Sequence, residues 1–495
     1  QIGEYLSIPF GINISNQKTL YNLPTLPEEN LIDFIQNPKN DISINPEYKW
    51  IKSYLGSQTP NYSSLSTGDT PIFGIGMDLN PGKFIFSANY GLSQRAIEAD
   101  ALFNIVGAYK QKIIATRIGY GKIDGPKFTL NFVKVKDDVN SVINTPLYDD
   151  PIEGITIAPL IELTIKEKLL FKTETAASIF TSNLNNTFTI YDDIIESLSD
   201  IITVNASSNA DISHVSSIDW ISKKFTIGGE VKYIGPGFVP VGYRNIEKDI
   251  LDYKVRSSFK LFKDKTSING MFGIRTNNVQ NTNLQSTKRV ISTINVFSQI
   301  SDAFSINANY SNFGFNNNEI NNIIRVEMIN NSFSLSPSYI FETSTINHQI
   351  NANGSLNIFD QFDAVSSAFV ATKSKNFSLN YNLMFKEMPL NINLIGLFFN
   401  NEMPTSTLKM SNYGTTISYK FFDKKLSPSL GFNLANISRD SFTTDHRFSM
   451  RLKTKYKITK KLQFNASYRL NNYKYGSRKP DAITNEHRMQ FALLQ

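Results

Sequence analysis

Along most of the chain, apolar and polar side chains alternate one by one. From Lys461 onward, Leu462, Phe464, Ala466, Tyr468 and Leu470 fall on one face, and Gln463, Asn465, Ser467, Arg469 and Asn471 on the other. Just upstream, Phe448, Met450, Leu452, Tyr456 and Ile458 oppose Arg447, Ser449, Arg451, Lys453, Lys455 and Lys457, with Thr459-Lys460 as the link of a hairpin. Successive side chains of a strand point to opposite faces, so a period of two marks strands with one apolar and one polar surrounding. The pattern returns as Phe377, Leu379, Tyr381, Leu383, Phe385 against Ser378, Asn380, Asn382, and as Phe304, Ile306, Ala308, Tyr310 against Ser305, Asn307, Asn309. Further copies are Phe84, Phe86, Ala88, Tyr90, Leu92 against Lys83, Ser87, Asn89, and Tyr253, Val255, Phe259, Leu261 against Lys254, Arg256, Ser258, Lys260.

The length of these segments decides the class. They run about 10–14 residues, where globular strands average about 5–6 and a tilted strand needs about 9–11 to cross a bilayer. A soluble sandwich also alternates, with its inner face apolar. A chain of 495 residues built that way would divide into several domains, yet no linker, repeat or composition shift interrupts residues 1–495. The expectation is one all-β domain, a large antiparallel transmembrane β-barrel with apolar side chains toward lipid and polar ones toward the lumen. Closure removes the unpaired strand edges that lipid cannot satisfy. Such a barrel has a lumen too wide for side chains alone to fill, so it holds water, loops, an inserted segment or another chain.

Link lengths agree. Short links at Asn80-Pro81-Gly82-Lys83, Lys166-Glu167-Lys168, Lys223-Lys224, Lys263-Asp264-Lys265 and Ser301-Asp302 alternate with longer polar stretches at 138–153, 184–210, 236–249, 277–287, 315–327 and 359–375. Short periplasmic turns and long extracellular loops are the rule in bacterial barrels, as is an even strand number. The segments predict about 22 strands, within 18–24. Stretches 57–72 and 359–375 leave open whether the chain crosses or stays outside. Residues 17–43 and 184–210 are long loop segments. Within or beside them, 27–36 and 192–202 are candidate short helices, the second with Ile194, Ile195, Leu198, Ile201 and Ile202 on helical spacing.

Composition sharpens this picture. Charged residues are 19%, hydrophobic ones 41% and aromatics 12%, with 36 Phe and 22 Tyr; that is too apolar for a disordered chain. No Cys is present, which excludes disulfides, thiol catalysis and a Cys-based zinc site. No run of eighteen apolar residues exists, so no transmembrane helix is expected; the longest is Leu394-Ile395-Gly396-Leu397-Phe398-Phe399. The chain opens at Gln1 with no basic n-region before an apolar h-region, which fits a cytoplasmic protein or a mature exported chain whose signal has been removed; with the barrel pattern, the expectation is a mature protein of the outer membrane. The net charge of +7 is spread along the chain and marks turns, whereas nucleic-acid binders gather Lys and Arg on one patch; no nucleic-acid partner is expected.

Few motifs carry chemistry. Tyr233-Ile234-Gly235-Pro236-Gly237-Phe238 reads as a bend at a strand end, since no helix or Lys-Ser/Thr follows for a phosphate loop. His214, His348, His446 and His487 have no nearby His partner in sequence and read as polar lumen or rim positions. Asp445-His446-Arg447 lacks a placed nucleophile, so no catalytic residues, metal or cofactor are expected. The column Arg451, Lys453, Lys455, Lys457, with Arg469 across the hairpin, falls on the polar face and projects into the lumen. Charged rings in pores select by sign, here for anions; a solvated wall is the alternative. Trp50, Tyr54, Trp220, Tyr233, Tyr381 and Tyr468 suit the aromatic girdles of the two membrane interfaces.

A family likeness follows from particular stretches. Lys49-Trp50-Ile51 through Leu55-Gly56-Ser57, then Met77-Asp78-Leu79-Asn80-Pro81-Gly82-Lys83-Phe84, and Tyr90-Gly91 through Arg95-Ala96 resemble a recurrent pattern of Bacteroidota outer-membrane barrels. So do Val135-Lys136-Asp137-Asp138, the segment from Pro236-Gly237-Phe238 through Gly242 to Asp249, and Arg289-Val290-Ile291. The likeness spans 44–475, and the Asn-rich, Cys-free composition resembles Flavobacterium-like members. It implies location and architecture, and no catalytic residue carries over. One departure is the end, Phe491-Ala492-Leu493-Leu494-Gln495, where such barrels often finish in an aromatic. The resemblance and the long, apolar-dotted loops favour a non-catalytic subunit of a larger outer-membrane machine for protein secretion, gliding or barrel assembly. The basic column favours a porin-like, anion-favouring channel. Outer-membrane lipid, lipopolysaccharide and other outer-membrane or periplasmic proteins are the expected partners.

Overall fold

Strand-forming alternation becomes a single meander in a computed structural model that describes residues 6–13, 41–101, 105–147, 149–188, 199–241, 246–317, 321, 325–440, 444–459, 462–476 and 483–494. The strands are β1 (Leu6–Ser7), β2 (Phe10–Asn13), β3 (Asp41–Ile44), β4 (Glu47–Tyr48), β5 (Ile51–Gln58), β6 (Ile72–Leu79), β7 (Phe84–Gln94), β8 (Lys110–Gly121), β9 (Lys127–Asp138), β10 (Glu153–Ile165), β11 (Leu169–Thr181), β12 (Ser208–Ile221) and β13 (Phe225–Ile234). They continue as β14 (Ile250–Leu261), β15 (Thr266–Asn277), β16 (Lys288–Gln299), β17 (Phe304–Asn316), β18 (Glu327–Glu342), β19 (Ile346–Asp363), β20 (Ala368–Phe385), β21 (Leu390–Met403), β22 (Ser406–Tyr419), β23 (Leu426–Arg439), β24 (Asp445–Lys457), β25 (Gln463–Lys474) and β26 (Ile483–Leu494). From β5 to β26, twenty-two strands pair each with the next, all antiparallel. No helix occurs among the described residues.

The first four segments are two broken staves. β1 and β2 are separated at Pro9 and pair with β4 and β3, which are separated at Pro46. Proline has no N–H for the ladder and is confined to edges and breaks. The carbonyls of both prolines still take part, accepting from Asn45 N and Ser53 N at 2.8 Å each. The twenty-six segments therefore make twenty-four staves, the top of the expected range. β26 comes to lie beside β2, where Gln490 Nε2 donates to Asn13 Oδ1 at 3.0 Å, and the ring is nearly closed. At about 4.8 Å per strand and a tilt of about 40°, twenty-four staves give a ring roughly 45–50 Å across if round.

One end of the barrel carries tight turns, the other long loops. At Lys166 and Glu167 both central residues have positive φ, 49° and 55°, and Lys168 N donates to Ile165 O at 3.1 Å; this left-handed two-residue turn matches strand twist. Runs of positive φ at Phe262-Lys263-Asp264 and Phe422-Lys424 turn the chain at the same end. By the length rule this end is periplasmic. The stretch 359–375, expected among the longer polar links, is corrected: β19 and β20 run on through it and reverse at 364–367, with Phe362 opposite Phe369. Ladder hydrogen bonds need no lipid, so a hairpin can stand above the membrane. The stretch 57–72 does not cross; its fate is described below. The candidate helix 27–36 and most of 192–202 lie outside the described residues.

The outer wall is apolar and open to its surroundings. Ile75, Ile118, Ile218, Val255, Phe272, Ile294, Phe333, Leu434 and Met489 are all exposed, and each has a polar or small neighbour one residue away on the inner face. A soluble protein would not leave so continuous an apolar belt in water; in an outer membrane it meets hydrocarbon. Arginine at the bilayer midplane of such a wall costs about 2–4 kcal/mol. We expect Ile294→Arg to reduce the heat-sensitive, fast-migrating folded band on a gel sharply. Asn295→Arg, one residue on but lumenal, loses the bonds to Asn307 Oδ1 (2.9 Å) and Asn309 Oδ1 and keeps most of that band.

Candidate functional site

The lumenal wall is two different surfaces. On β8 to β11 the inward side chains are fully buried: Ile113, Ala115, Asn131, Val133, Val135, Ala158 and Ala176 have essentially no exposure. What covers them is the chain itself. The loop 59–71 between β5 and β6 folds inward, burying Tyr62, Leu65, Ser66 and Thr67. Tyr62 packs with Ile72, Ile113, Ala115, Val133 and Val135, and Leu65 with Ala158, Ala176, Ile234 and Phe238.

Polar anchors fix this loop. The buried Glu174 carboxylate of β11 accepts from Leu65 N (3.0 Å) and Ser64 Oγ (3.1 Å). The Tyr62 hydroxyl donates to Ala115 O (3.3 Å) and accepts from Asn89 Nδ2, and the Arg117 guanidinium lies 4.8 Å from its ring centre. Burial pushes the Tyr62 phenol above its ordinary range, so it stays a donor. A second inward loop follows β13. Its Gly237 N, Val239 N and Val241 N donate to Asp211 Oδ2 (2.7 Å), Ser178 Oγ (3.0 Å) and Thr156 Oγ1 (3.2 Å). Gly154 permits that approach, since a Cβ there would meet Val241 Cγ1 at 2.3 Å. The Gly235-Pro236-Gly237 bend thus ends a strand and also starts an inward fold.

Next around the ring, β12 to β16 carry charges that neutralise one another. Arg256 forks onto Asp219 (2.6 and 2.5 Å) and reaches Glu230 (3.4 Å), which also takes Lys254 (3.0 Å). Arg275 binds Asp252 and Glu247, and Glu247 takes Arg289 at 3.0 Å. Beyond them the inward face of β17 to β23 is half-exposed amide and hydroxyl. Cross-strand pairs such as Asn353–Ser336 (2.7 Å), Asn357–Asn330 (2.7 Å) and Asn393–Asn380 (3.0 Å) line it.

The basic column stands on the inward face of β24, roughly half the ring from the infolded loops. Arg451, Lys453, Lys455 and Lys457 follow at every second residue, about 7 Å apart, and Arg469 of β25 is directly opposite Arg451. Arg488 of β26 is in turn opposite Arg469, so three guanidiniums stand in one cross-strand row. Like charges directly opposite are destabilising. Arg488 has Glu486 at 3.7 Å; among the described residues, none of the other five cations makes an ion pair. Arg451, Lys453, Arg469 and Arg447 line one side of a recess of about 430 Å³, with Asn412 and Asn433 across it. Arg488 escaped the sequence reading because only the register of the last hairpin puts it in the row.

The expected girdle residues are dispersed. Trp220 is exposed on the outer wall, edge-on to Phe225 near the periplasmic turn, and Trp50 is exposed beside the turn before β5. Tyr233 faces out near the opposite end, where Gln280 donates to its hydroxyl. Tyr381 and Tyr468 face out too, bonded to His348 Nδ1 and His487 Nδ1 at 2.6 Å each. Tyr54 is a correction: it faces the lumen and donates to Asp78 Oδ2 at 2.6 Å, because the register sets it opposite the inward Gly76. The histidines depart from the expected lumen places, since all four share the outward face of their strands, while His348 and His446 lie near strand ends, at the expected rim. Each is capped by a hydroxyl or amide, with Asn436 on His446 (2.8 Å) and Thr175 and Ser216 on His214 (2.8 and 2.7 Å), as a ring nitrogen in hydrocarbon requires. Among the described residues no group of three or more His, Asp or Glu side chains is placed to hold a metal ion.

No protein-family model matches the sequence, and no curated protein is similar to it at a significant level. Solved structures similar in build include OccAB4 of Acinetobacter baumannii, with a TM-score of 0.35 and 10% identity over 83% of this chain and 96% of that one. The FrpB iron transporter of Neisseria meningitidis has a TM-score of 0.41 and 7% identity over 87% and 68%. The siderophore receptor PirA of A. baumannii has a TM-score of 0.38 and 10% identity over 86% and 77%. At these scores the likenesses carry no argument about function; the architecture rests on the chain's own strand ladders.

Proposed function

We propose that this outer-membrane barrel is a passive channel favouring small anionic solutes. The observation that carries this reading is the contrast between its two charged walls. On β12 to β16 every strong cation named above has a carboxylate, so the field there is largely cancelled. On β24 and β25 five cations have none, they stand on a wall open to water, and two of them oppose each other at a cost in stability. A chain selected for stability alone would not keep that arrangement, whereas a pore that recruits anions needs it. Half-exposed Asn and Ser side chains on β17 to β23 support a wet passage beside the column.

The purified barrel in a planar bilayer, with a tenfold KCl gradient across it, tests this. The expected result is steady conductance steps and a zero-current potential of the sign set by chloride. A silent barrel, or a potential of the cation sign, overturns it.

A second reading, a subunit of a larger outer-membrane assembly, is favoured by one observation. Mid-height on the outer wall, Thr173, Thr175, His214 and Ser216 form a hydrogen-bonded polar patch, with Thr173 Oγ1 and Ser216 Oγ 2.7 Å apart. Polar groups facing hydrocarbon are costly, and they mark contacts within the membrane plane. On this reading, His214→Leu with Ser216→Leu releases a partner that co-purifies from native membranes while leaving single-channel conductance unchanged. An identical set of co-purifying proteins in wild type and variant would sink it.

A further inference from the structure

A concave groove of about 520 Å³ lies on the outer wall of β20 to β23, toward the long-loop end. The register orders its lining into rows. Lys375, Asn400, Lys409 and Ser438 stand in one row, and Phe377, Phe398, Ser411 and Asn436 in the row beneath, one step closer to the membrane centre. Below these come Leu379, Gly396, Tyr413 and Leu434. Going up the wall, the surface therefore changes from apolar, through aromatic and hydroxyl, to cationic. Phe398 and Tyr413 meet edge-on at 5.7 Å and form an exposed aromatic flank, and small Ser411 and Ser438 leave the hollow beside it.

The lining holds two lysines and no carboxylate, with Glu402 and Asp440 one step above it. Lys375 and Lys409 line the groove, and Lys373 is one step above Lys375. Glu402 stands 3.3 Å from Lys375; among the described residues Lys409 makes no ion pair. Two staves separate Lys375 from Lys409, about 10 Å.

We propose that this groove binds a phosphorylated, multiply acylated glycolipid of the extracellular leaflet, its phosphates on the Lys375–Lys409 row and its first acyl carbons against Phe377, Phe398 and Tyr413. Three features fit that occupant and not a solute. The gradient follows the polarity of a leaflet from chain to headgroup. The groove spans four staves, about 14 Å, wider than a single two-chain phospholipid. Two separated ammonium groups match two phosphates on one saccharide. The inference rests on membrane insertion and is independent of whether the barrel conducts.

Native mass spectrometry of the full-length barrel in detergent, given either bis-phosphorylated lipid A or phosphatidylglycerol, tests it. Wild type is expected to retain lipid A over phosphatidylglycerol. Lys375→Gln with Lys409→Gln is expected to weaken retention at least about tenfold, each lysine near an anionic lipid contributing about 1 kcal/mol. Ser411→Trp, which fills the hollow without touching the charge, gives the same loss, whereas Lys386→Gln in a periplasmic turn gives none. Every variant is first checked for the heat-sensitive folded band. Equal retention by the double lysine variant and wild type overturns the site, and equal retention of the two lipids overturns the glycolipid assignment.

Discussion

Replacing Arg451, Lys453 and Arg469 together by glutamate reverses the selectivity of the pore from anions to cations. The exchange alters the charge of one wall by six units. A unit charge about 8 Å from a permeating ion in water contributes about 0.5 kcal/mol before screening. With a Debye length of about 10 Å at 0.1 M salt, roughly half of the summed effect survives, about 1.5 kcal/mol and of opposite sign for anion and cation, enough for roughly a hundredfold change in the anion-to-cation permeability ratio. At 1 M salt, where the Debye length is about 3 Å, most of the change disappears. The zero-current potential in a KCl gradient reads this directly. An unchanged sign at 0.1 M in a folded, conducting variant means the column does not face the ion path. The same triple exchange on β12 to β16 would be uninformative, because breaking Arg256–Asp219 or Arg275–Asp252 leaves buried carboxylates without their partners.

The second large effect is on pore size. Leu65→Asp puts a carboxylate at a site with no solvent exposure, between Phe238, Ala158 and Ala176, where Leu65 N already donates to Glu174. An unpaired buried charge beside a second carboxylate costs several kcal/mol. The strand ladders do not depend on this loop, so the loop leaves the lumen while the barrel stands. The expected result is a several-fold rise in single-channel conductance with the heat-sensitive folded band retained. Leu65→Met, which keeps volume and polarity, leaves conductance at the wild-type value. If Leu65→Asp conducts like wild type, the loop 59–71 does not restrict the passage. Glu174→Gln should show a weaker form of the same change, because the amide keeps an acceptor for Leu65 N but loses the charge.

The strands were legible in the sequence for a local reason. Which environment a strand side chain meets is decided within two residues, so Phe464, Ala466 and Tyr468 declare the lipid face and Gln463, Asn465 and Ser467 the lumen without knowledge of any neighbour. The turns at Lys166-Glu167 and Lys263-Asp264 were equally visible, because reversing a strand takes only a few residues. Tyr54 shows the limit of that reasoning. Its amphipathic ring suits a girdle, but its strand is short, rich in small residues and weakly patterned, and the pairing with β6 turned it to Asp78. The outward face of the histidines was hidden for the same reason: each has a hydrogen-bond partner on a neighbouring strand, which no single strand displays.

The alternation of side chains alone thus determined that the chain is a long-stranded antiparallel barrel with an oily outside and a wet inside, since partition between lipid and water acts on each residue separately. Tertiary structure decided what fills that inside. The folding of loop 59–71 onto Glu174, the row of Arg451, Arg469 and Arg488, and the groove over β20 to β23 each join residues set side by side by register and chain path. Such contacts depend on which staves become neighbours and how far a loop can reach, and a single strand's pattern holds neither quantity.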